Sequence, residues 1–160
     1  MPTTDTGRPA ARNALRALAF ASLAVVATAQ AQPQPPLPTT KLAAGIHLIT
    51  AEVAQDNSSR ARGLMFRDKL APNAGMLFVF DYKSMQCMWM RNTLIPLSVA
   101  FIEDDGTIVN ILDMQPHDER SQCAKQPVRY ALEMTQGWFE KKGIGPGSKL
   151  GRLPASPPQK

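Results

Sequence analysis

The chain has 160 residues, of which 44% are hydrophobic, and its 18 basic and 13 acidic side chains give a net charge of +5. This length suffices for one domain with a single core. Because its longest basic cluster is the pair Lys141 and Lys142, we expect no nucleic-acid partner despite a sequence pI of about 9.5.

The first 31 residues have the pattern of an export signal. Arg8, Arg12 and Arg16 form a positive start, residues 17–28 are apolar, and Ala-Gln-Ala at 29–31 resembles a cleavage site. An anchoring helix is the alternative, but a bilayer span needs about 20 apolar residues. We predict cleavage before Gln32, a remaining net charge of +3, no membrane span after cleavage, and a periplasmic or secreted protein.

Composition divides the rest of the chain into three parts. Residues 32–41 are a Pro/Gln-rich linker, residues 42–153 a single β-rich domain, and residues 154–160 a disordered Pro/Ser tail. The linker and the tail lack the apolar residues that a core needs. We expect the domain to be a monomer.

The predicted domain begins with strand signals. Residues 46–53 alternate in polarity and predict the first strand, and Asn57 or Ser58 is expected to cap a short helix after it. Residues 75–80 are apolar on both faces, which predicts a strand buried on two sides.

The second half predicts further short strands. Asp105 and Gly106 indicate a tight hairpin between residues 97–103 and 107–114, and the polar loop 115–127 follows. The remaining elements are predicted as a strand at 128–134, a helix near 137–142 and a strand near 150. This set predicts a mainly β fold, a compact antiparallel β-barrel or sandwich with two short helices.

Five sequence blocks run in order through this domain. They are RGLMFR at 62–67, GMLFVF at 75–80, WMRNTLIPL at 89–97, DG at 105–106, and ALE at 131–133 followed by Gly137. In this order they resemble the domain of unknown function 192 family of bacteria and archaea, over residues 46–150. The resemblance implies a compact, mostly β fold and no established activity.

Cys87 and Cys123 are the two cysteines of the chain. In an exported protein this number favours a disulfide, which would hold the 115–127 loop beside the strand that contains Trp89. The alternative is a buried, free Cys87 that packs as a small hydrophobe.

The sulfur-rich run around Cys87 allows a second interpretation, a soft-metal site for copper built from Met85, Cys87, Met88 and Met90. Strand alternation places the first two on one face and the last two on the other, so core packing is favoured. His47 and His117 lack zinc-site spacing, and we find no motif for a cofactor, so we predict none.

Several polar or aromatic residues lie within otherwise apolar segments, and we take them as candidates for ligand binding: Arg62, Arg67, Trp89, Arg91, Asn92, Thr93, Asp113 and Glu133. One interpretation is an internal network in which Glu133 pairs with Arg62 or Arg91, because a buried charge needs a partner. The other is a shallow pocket for an anionic or sugar-like ligand, gripped by Arg91 and stacked on Trp89.

Three functions fit the sequence. The favoured one is an exported binding or accessory domain for a small molecule or a cell-envelope component. The alternatives are a copper protein and a hydrolase or transferase that uses Asp113 or Glu133 as a general base.

Overall fold

The computed structural model describes residues 1–3 and 32–155. The chain divides into two compact units, residues 1–30 and 31–160, and the fold below is that of the second unit. Residues 4–31, with most of the predicted export signal and its cleavage site, lie outside the described residues, as do residues 156–160 of the predicted tail.

Strands dominate the second unit. In chain order its elements are β1 Thr39–Ala44, β2 His47–Ala54, α1 Asn57–Arg62, β3 Ala74–Ser84, β4 Cys87–Met88, β5 Leu97–Ile102, β6 Ile108–Met114, β7 Gln122–Cys123, β8 Val128–Thr135, α2 Trp138–Lys141 and β9 Leu150–Gly151. Seven strands form one sheet in the order β6-β5-β8-β3-β2-β1-β9, which curls into a half-barrel, and β4 pairs with β7 in a small second sheet.

The prediction of a mainly β fold with two short helices is confirmed. The hairpin predicted at Asp105 and Gly106 joins β5 to β6. The sheet is not wholly antiparallel, however, since β2 and β3 run parallel. A parallel pair needs a crossover connection, and here α1 and the loop after it supply one.

β1 was not predicted from the sequence, and it begins inside the predicted linker. This strand forms an antiparallel hairpin with β2 and makes an edge contact with β9. Leu37, just before it, packs against the core, and its amide donates a hydrogen bond to Glu52 Oε2 (2.9 Å). The signal was weak because Leu42 is the single large apolar residue in the strand.

The N-cap of α1 is Asp56, so the prediction of Asn57 or Ser58 is wrong. Asp56 Oδ1 accepts a hydrogen bond from the Ser59 amide (2.9 Å), and the Asp56 amide donates to Ser59 Oγ in return (3.3 Å). Hydrogen bonds from the Ser58 and Ser59 side chains and amides hold the Asp56 pKa well below its usual value.

The core has two apolar clusters. The first includes Leu77, Leu132 and Phe139 of α2, and the second includes Phe78 and Phe101. Because β3 contributes neighbouring residues to different clusters, it is buried on two sides, as its apolar sequence predicted.

Close packing between β3 and β8 requires glycine at position 75. A Cβ there would lie 2.4 Å from both the Glu133 carbonyl oxygen and Met134 Sδ. We expect Gly75→Ala to lower the free energy of unfolding by about 2 kcal/mol in urea denaturation, because the backbone contact must open. Gly145→Ala is the matched control, since its Cβ would meet nothing within 4 Å. Equal effects of the two substitutions would contradict this packing.

Candidate functional site

A cavity of about 290 Å³ lies between α1 with the loop after it, β3, β4 and β8. Its walls combine apolar and polar surface in nearly equal parts, with two arginines, an asparagine, a threonine and a glutamate among the apolar side chains. The lining residues are Asn57, Arg60, Ala61, Arg62, Gly63, Leu64, Met65, Phe78, Phe80, Cys87, Met88, Trp89, Thr93 and Glu133.

Glu133 is the acidic residue of this lining. It lies in the middle of β8, opposite Met76 of β3 and Val99 of β5, and only 3% of its surface is exposed. Within residues 32–155 no side chain or amide forms a hydrogen bond or ion pair with its carboxyl group. Burial raises the pKa of Glu133 to about 8, so the carboxyl group is protonated at neutral pH.

The prediction that Glu133 pairs with Arg62 or Arg91 is therefore wrong. Arg62 Nη2 instead donates a hydrogen bond to the Gln32 carbonyl, and its guanidinium carbon lies 5.5 Å from the centre of the Phe66 ring. The guanidinium carbon of Arg91 lies 5.9 Å from the Trp89 ring centre, and Arg91 is exposed. Because the Glu133 carboxyl group is protonated, it carries no charge and does not need an ion-pair partner.

Arg60 is fixed in the cavity wall by its own hydrogen bonds. Its guanidinium donates to the carbonyls of Gln55 (2.7 Å) and Val79 (2.8 Å) and forms an ion pair with Asp81 (3.0 Å). Only 13% of the Arg60 side chain is exposed. With Arg62 also in the wall and Glu133 protonated, the charges of the lining are positive.

The structure brings together four of the predicted ligand-binding residues: Arg62, Trp89, Thr93 and Glu133 line the cavity. Thr93 is 5% exposed, and its hydroxyl has one long hydrogen bond (3.4 Å), to the Arg91 carbonyl. This leaves the Thr93 hydroxyl able to bond to a ligand.

The other four predicted residues lie elsewhere. Arg67 forms a two-pronged ion pair with Glu52 (2.7 and 2.9 Å), which ties the loop after α1 to β2. Asn92 has a φ of 55° and supports that same loop, because its carbonyl accepts a hydrogen bond from the Phe66 amide (2.9 Å). Arg91 contacts Trp89 from outside, and the exposed Asp113 accepts a hydrogen bond from Ser98.

The disulfide between Cys87 and Cys123 is confirmed, and it joins β4 to β7. Because Cys87 is bonded to Cys123, it has no thiolate for copper. Met88 and Met90 are buried in the second core cluster, whereas Met85 is exposed. The described residues contain no group of three or more His, Cys, Asp or Glu side chains placed to hold a metal ion.

Most of the apolar residues in the cavity wall were not predicted from the sequence. Leu64, Met65, Phe78 and Met88 all contribute to it, together with Arg60. In the sequence these residues are indistinguishable from ordinary core residues, because the cavity forms only where α1 crosses the second cluster. The one available signal was Glu133, a carboxyl group within an apolar strand.

Comparison with protein-family models shows to which family the chain belongs. The family model of DUF192, described as "Uncharacterized ACR", matches residues 39–151. The chain belongs to the DUF192 family. A search of curated proteins gave no match.

Two solved structures resemble this DUF192 chain. A protein of unknown function from Novosphingobium aromaticivorans DSM 12444 is 34% identical, covers 79% of this chain and 94% of its own, and superposes with a TM-score of 0.71. A protein from Sinorhizobium meliloti 1021, described as a candidate transcription regulator, is 40% identical, covers 69% and 88%, and has a TM-score of 0.65. Neither supplies an activity that is established for the family.

In the part of this DUF192 chain that the structure describes, no helix has the length and apolar character needed to cross a membrane. The disulfide is of the kind that forms in oxidising compartments, so it is consistent with export.

Proposed function

We propose that the protein is an exported binding domain for a small molecule and that the cavity between α1 and β8 is its binding site. One observation carries this proposal: the buried Glu133 carboxyl group lines the cavity without a partner in the described protein. Because the carboxyl group lines the cavity, a ligand that excluded solvent without bonding to it would lose about 1–3 kcal/mol. A ligand atom that bonds to Glu133 avoids this cost.

The size of the cavity supports a small ligand. Its volume of about 290 Å³ is at the lower end of the range for small-molecule sites. A polymer of the cell envelope could enter only by a terminal group or a single unit. We therefore favour a free small molecule over an envelope polymer.

The lining chemistry favours binding over covalent catalysis. Among the described residues of the cavity there is no histidine, serine or free cysteine, and the protonated Glu133 is not a base for the one aliphatic hydroxyl, that of Thr93. The dispersed basic residues give no support for nucleic-acid binding, and the transcription-regulator role in the description of the Sinorhizobium relative is therefore not proposed for this chain.

One observation favours a second function. A carboxyl group with a pKa of about 8 is protonated at neutral pH, so in a hydrolase or transferase Glu133 would act as the general acid and not as the general base that the sequence suggested, while Asp113 lies outside the cavity. Loss of turnover in Glu133→Gln, with the fold intact, would support this alternative.

Blocking the cavity tests the proposed function. Ala61 is an exposed residue of α1 that lines the cavity, so a tryptophan at this position would fill the entrance without entering the core. We expect Ala61→Trp to abolish the binding of small-fragment hits in ligand-observed NMR of the exported chain. Ser58→Trp, on the same helix but outside the lining, is the matched control and should keep the hits.

The proposal fails under either of two results. One is a fragment library that gives no hit on the wild-type protein. The other is a set of hits that binds Ala61→Trp as well as it binds Ser58→Trp, which would place the binding outside the cavity.

A further inference from the structure

We infer that the ligand is a small organic anion, a carboxylate on an apolar or aromatic body with an oxygen at its inner end. This inference rests on the proposed function and names the ligand class for the same cavity. Three features of the lining carry it: the sign of its charges, its apolar walls and the hydrogen-bonding groups at its base.

The charged side chains in the lining are Arg60, Arg62 and Glu133. Both arginines come from α1, and the residues that flank Glu133 in the sheet, Met76 on β3 and Val99 on β5, are apolar. No other acidic side chain of residues 32–155 lines the cavity, but Asp81, outside the lining, forms an ion pair with Arg60. A neutral Glu133 therefore leaves Arg62 as the main positive charge of the wall, which attracts an anion and repels an amine.

The Arg62 side chain can bind the anionic group of the ligand by donating hydrogen bonds to it. Its Nη2 donates to the Gln32 carbonyl, the buried Nε has no hydrogen-bond partner, and Nη1 forms no hydrogen bond within residues 32–155. Arg60, in contrast, is already bonded to two carbonyls and to Asp81. We therefore expect Arg62 to form the hydrogen bonds to the ligand carboxylate and Arg60 to contribute only electrostatic attraction.

The walls next to these arginines suit an apolar or aromatic body. Leu64, Phe78 and Met88 are buried side chains of the second core cluster that face the cavity. Trp89 is 46% exposed and also lines it, so its ring offers a stacking surface.

At the base of the cavity, two buried hydroxyl groups are available to the inner end of the ligand. The protonated Glu133 donates one hydrogen bond, and the Thr93 hydroxyl has only its long contact to the Arg91 carbonyl. The Glu133 proton requires an acceptor on the ligand, such as a phenol, ether or carbonyl oxygen, whereas the Thr93 oxygen, whose proton is donated to the Arg91 carbonyl, can accept from a ligand hydroxyl. A purely hydrocarbon inner end would leave the cost of the unpaired Glu133 carboxyl in place.

Three probes of nearly equal size and different charge test the inference. They are para-hydroxyphenylacetate, the neutral alcohol tyrosol and the amine tyramine, and their binding to the exported chain is measured by protein NMR shifts and calorimetry at about pH 6. We expect the carboxylate to bind about tenfold more tightly than the alcohol, and the amine not to bind.

Two substitutions test whether Arg62 and Glu133 cause the preference for the carboxylate. Arg62→Gln should weaken carboxylate binding about tenfold and leave tyrosol binding nearly unchanged. The matched control is Arg120→Gln, which removes an exposed arginine outside the cavity and should change neither. Carboxylate affinity should also fall above about pH 8, where Glu133 ionises, and this fall should be absent in Glu133→Gln.

Two results overturn the inference. If tyramine or tyrosol binds at least as tightly as the carboxylate, and Ala61→Trp abolishes that binding, the ligand is not an anion but the proposed function stands. If no probe shifts the cavity residues, the ligand class is wrong, and the fragment screen against Ala61→Trp then decides the proposed function independently.

Discussion

Removal of the disulfide between Cys87 and Cys123 will lower the free energy of unfolding by about 4 kcal/mol. The bond links positions 36 residues apart, so it restricts a large loop in the unfolded chain. In the folded protein it joins two strands of only two residues each, β4 and β7, and those short strands have few hydrogen bonds of their own. The bond is therefore the main connection within the small sheet.

The measurement is urea denaturation of the oxidised protein and of Cys87→Ser/Cys123→Ser. A reductant should destabilise the wild-type protein to about the level of the double variant and should not affect the double variant itself. A difference below about 1 kcal/mol would show that the restriction of the unfolded chain contributes little to the stability of this domain.

Substitution of Glu133 by glutamine will remove most of the pH dependence of stability between about pH 5 and pH 8. The folded-state pKa of Glu133 is raised from 4.5 to about 8 by burial. Below the unfolded value, the carboxyl is protonated in both states and contributes no pH dependence. Between the two values, the unfolded chain releases the proton while the folded chain retains it, so stability falls as pH rises, by up to about 1.4 kcal/mol per pH unit.

Denaturation at several pH values checks this result. Glu133→Gln should be more stable than the wild-type protein at about pH 8, by several kcal/mol, and should differ little at about pH 4. Asp105 and Asp118, whose pKa values are lowered by hydrogen bonds to Lys149 and Arg120, lose their stabilising effect only in acid and do not affect this range. Glu119→Gln, an exposed control, should keep the wild-type slope. A wild-type profile that is flat from pH 5 to pH 8 would contradict the buried, unpartnered carboxyl group.

The sequence predicted the fold where its signals were local. The Asp105–Gly106 turn and the apolar run at residues 75–80 each identify an element from a few neighbouring residues, and both are confirmed. The parallel pairing of β2 with β3 was not predictable in this way, since it depends on how α1 crosses the sheet. β1 was missed because its polar first half acquires strand structure by pairing with β2.

The candidate site was predictable only where a single residue stands out from its neighbours in the sequence. Glu133 and Thr93 stand out as polar residues in apolar segments, and both line the cavity. Arg67 and Asp113 have the same appearance in the sequence, yet one forms an ion pair with Glu52 and the other lies at the surface beside Ser98. Whether a polar residue has a partner depends on the tertiary structure. Local sequence therefore could not distinguish Glu133 and Thr93, which line the cavity, from Arg67 and Asp113, which do not.

The most direct test is an NMR titration of the Glu133 side-chain carboxyl carbon in residues 32–160, free and saturated with para-hydroxyphenylacetate. The account predicts a pKa of about 8 in the free protein. It also predicts a higher pKa in the complex, because a ligand that accepts the carboxyl proton in a hydrogen bond stabilises the protonated form. A pKa near 4.5 that does not change on ligand binding would show that the carboxyl group is solvated or paired, and would contradict its role in the site.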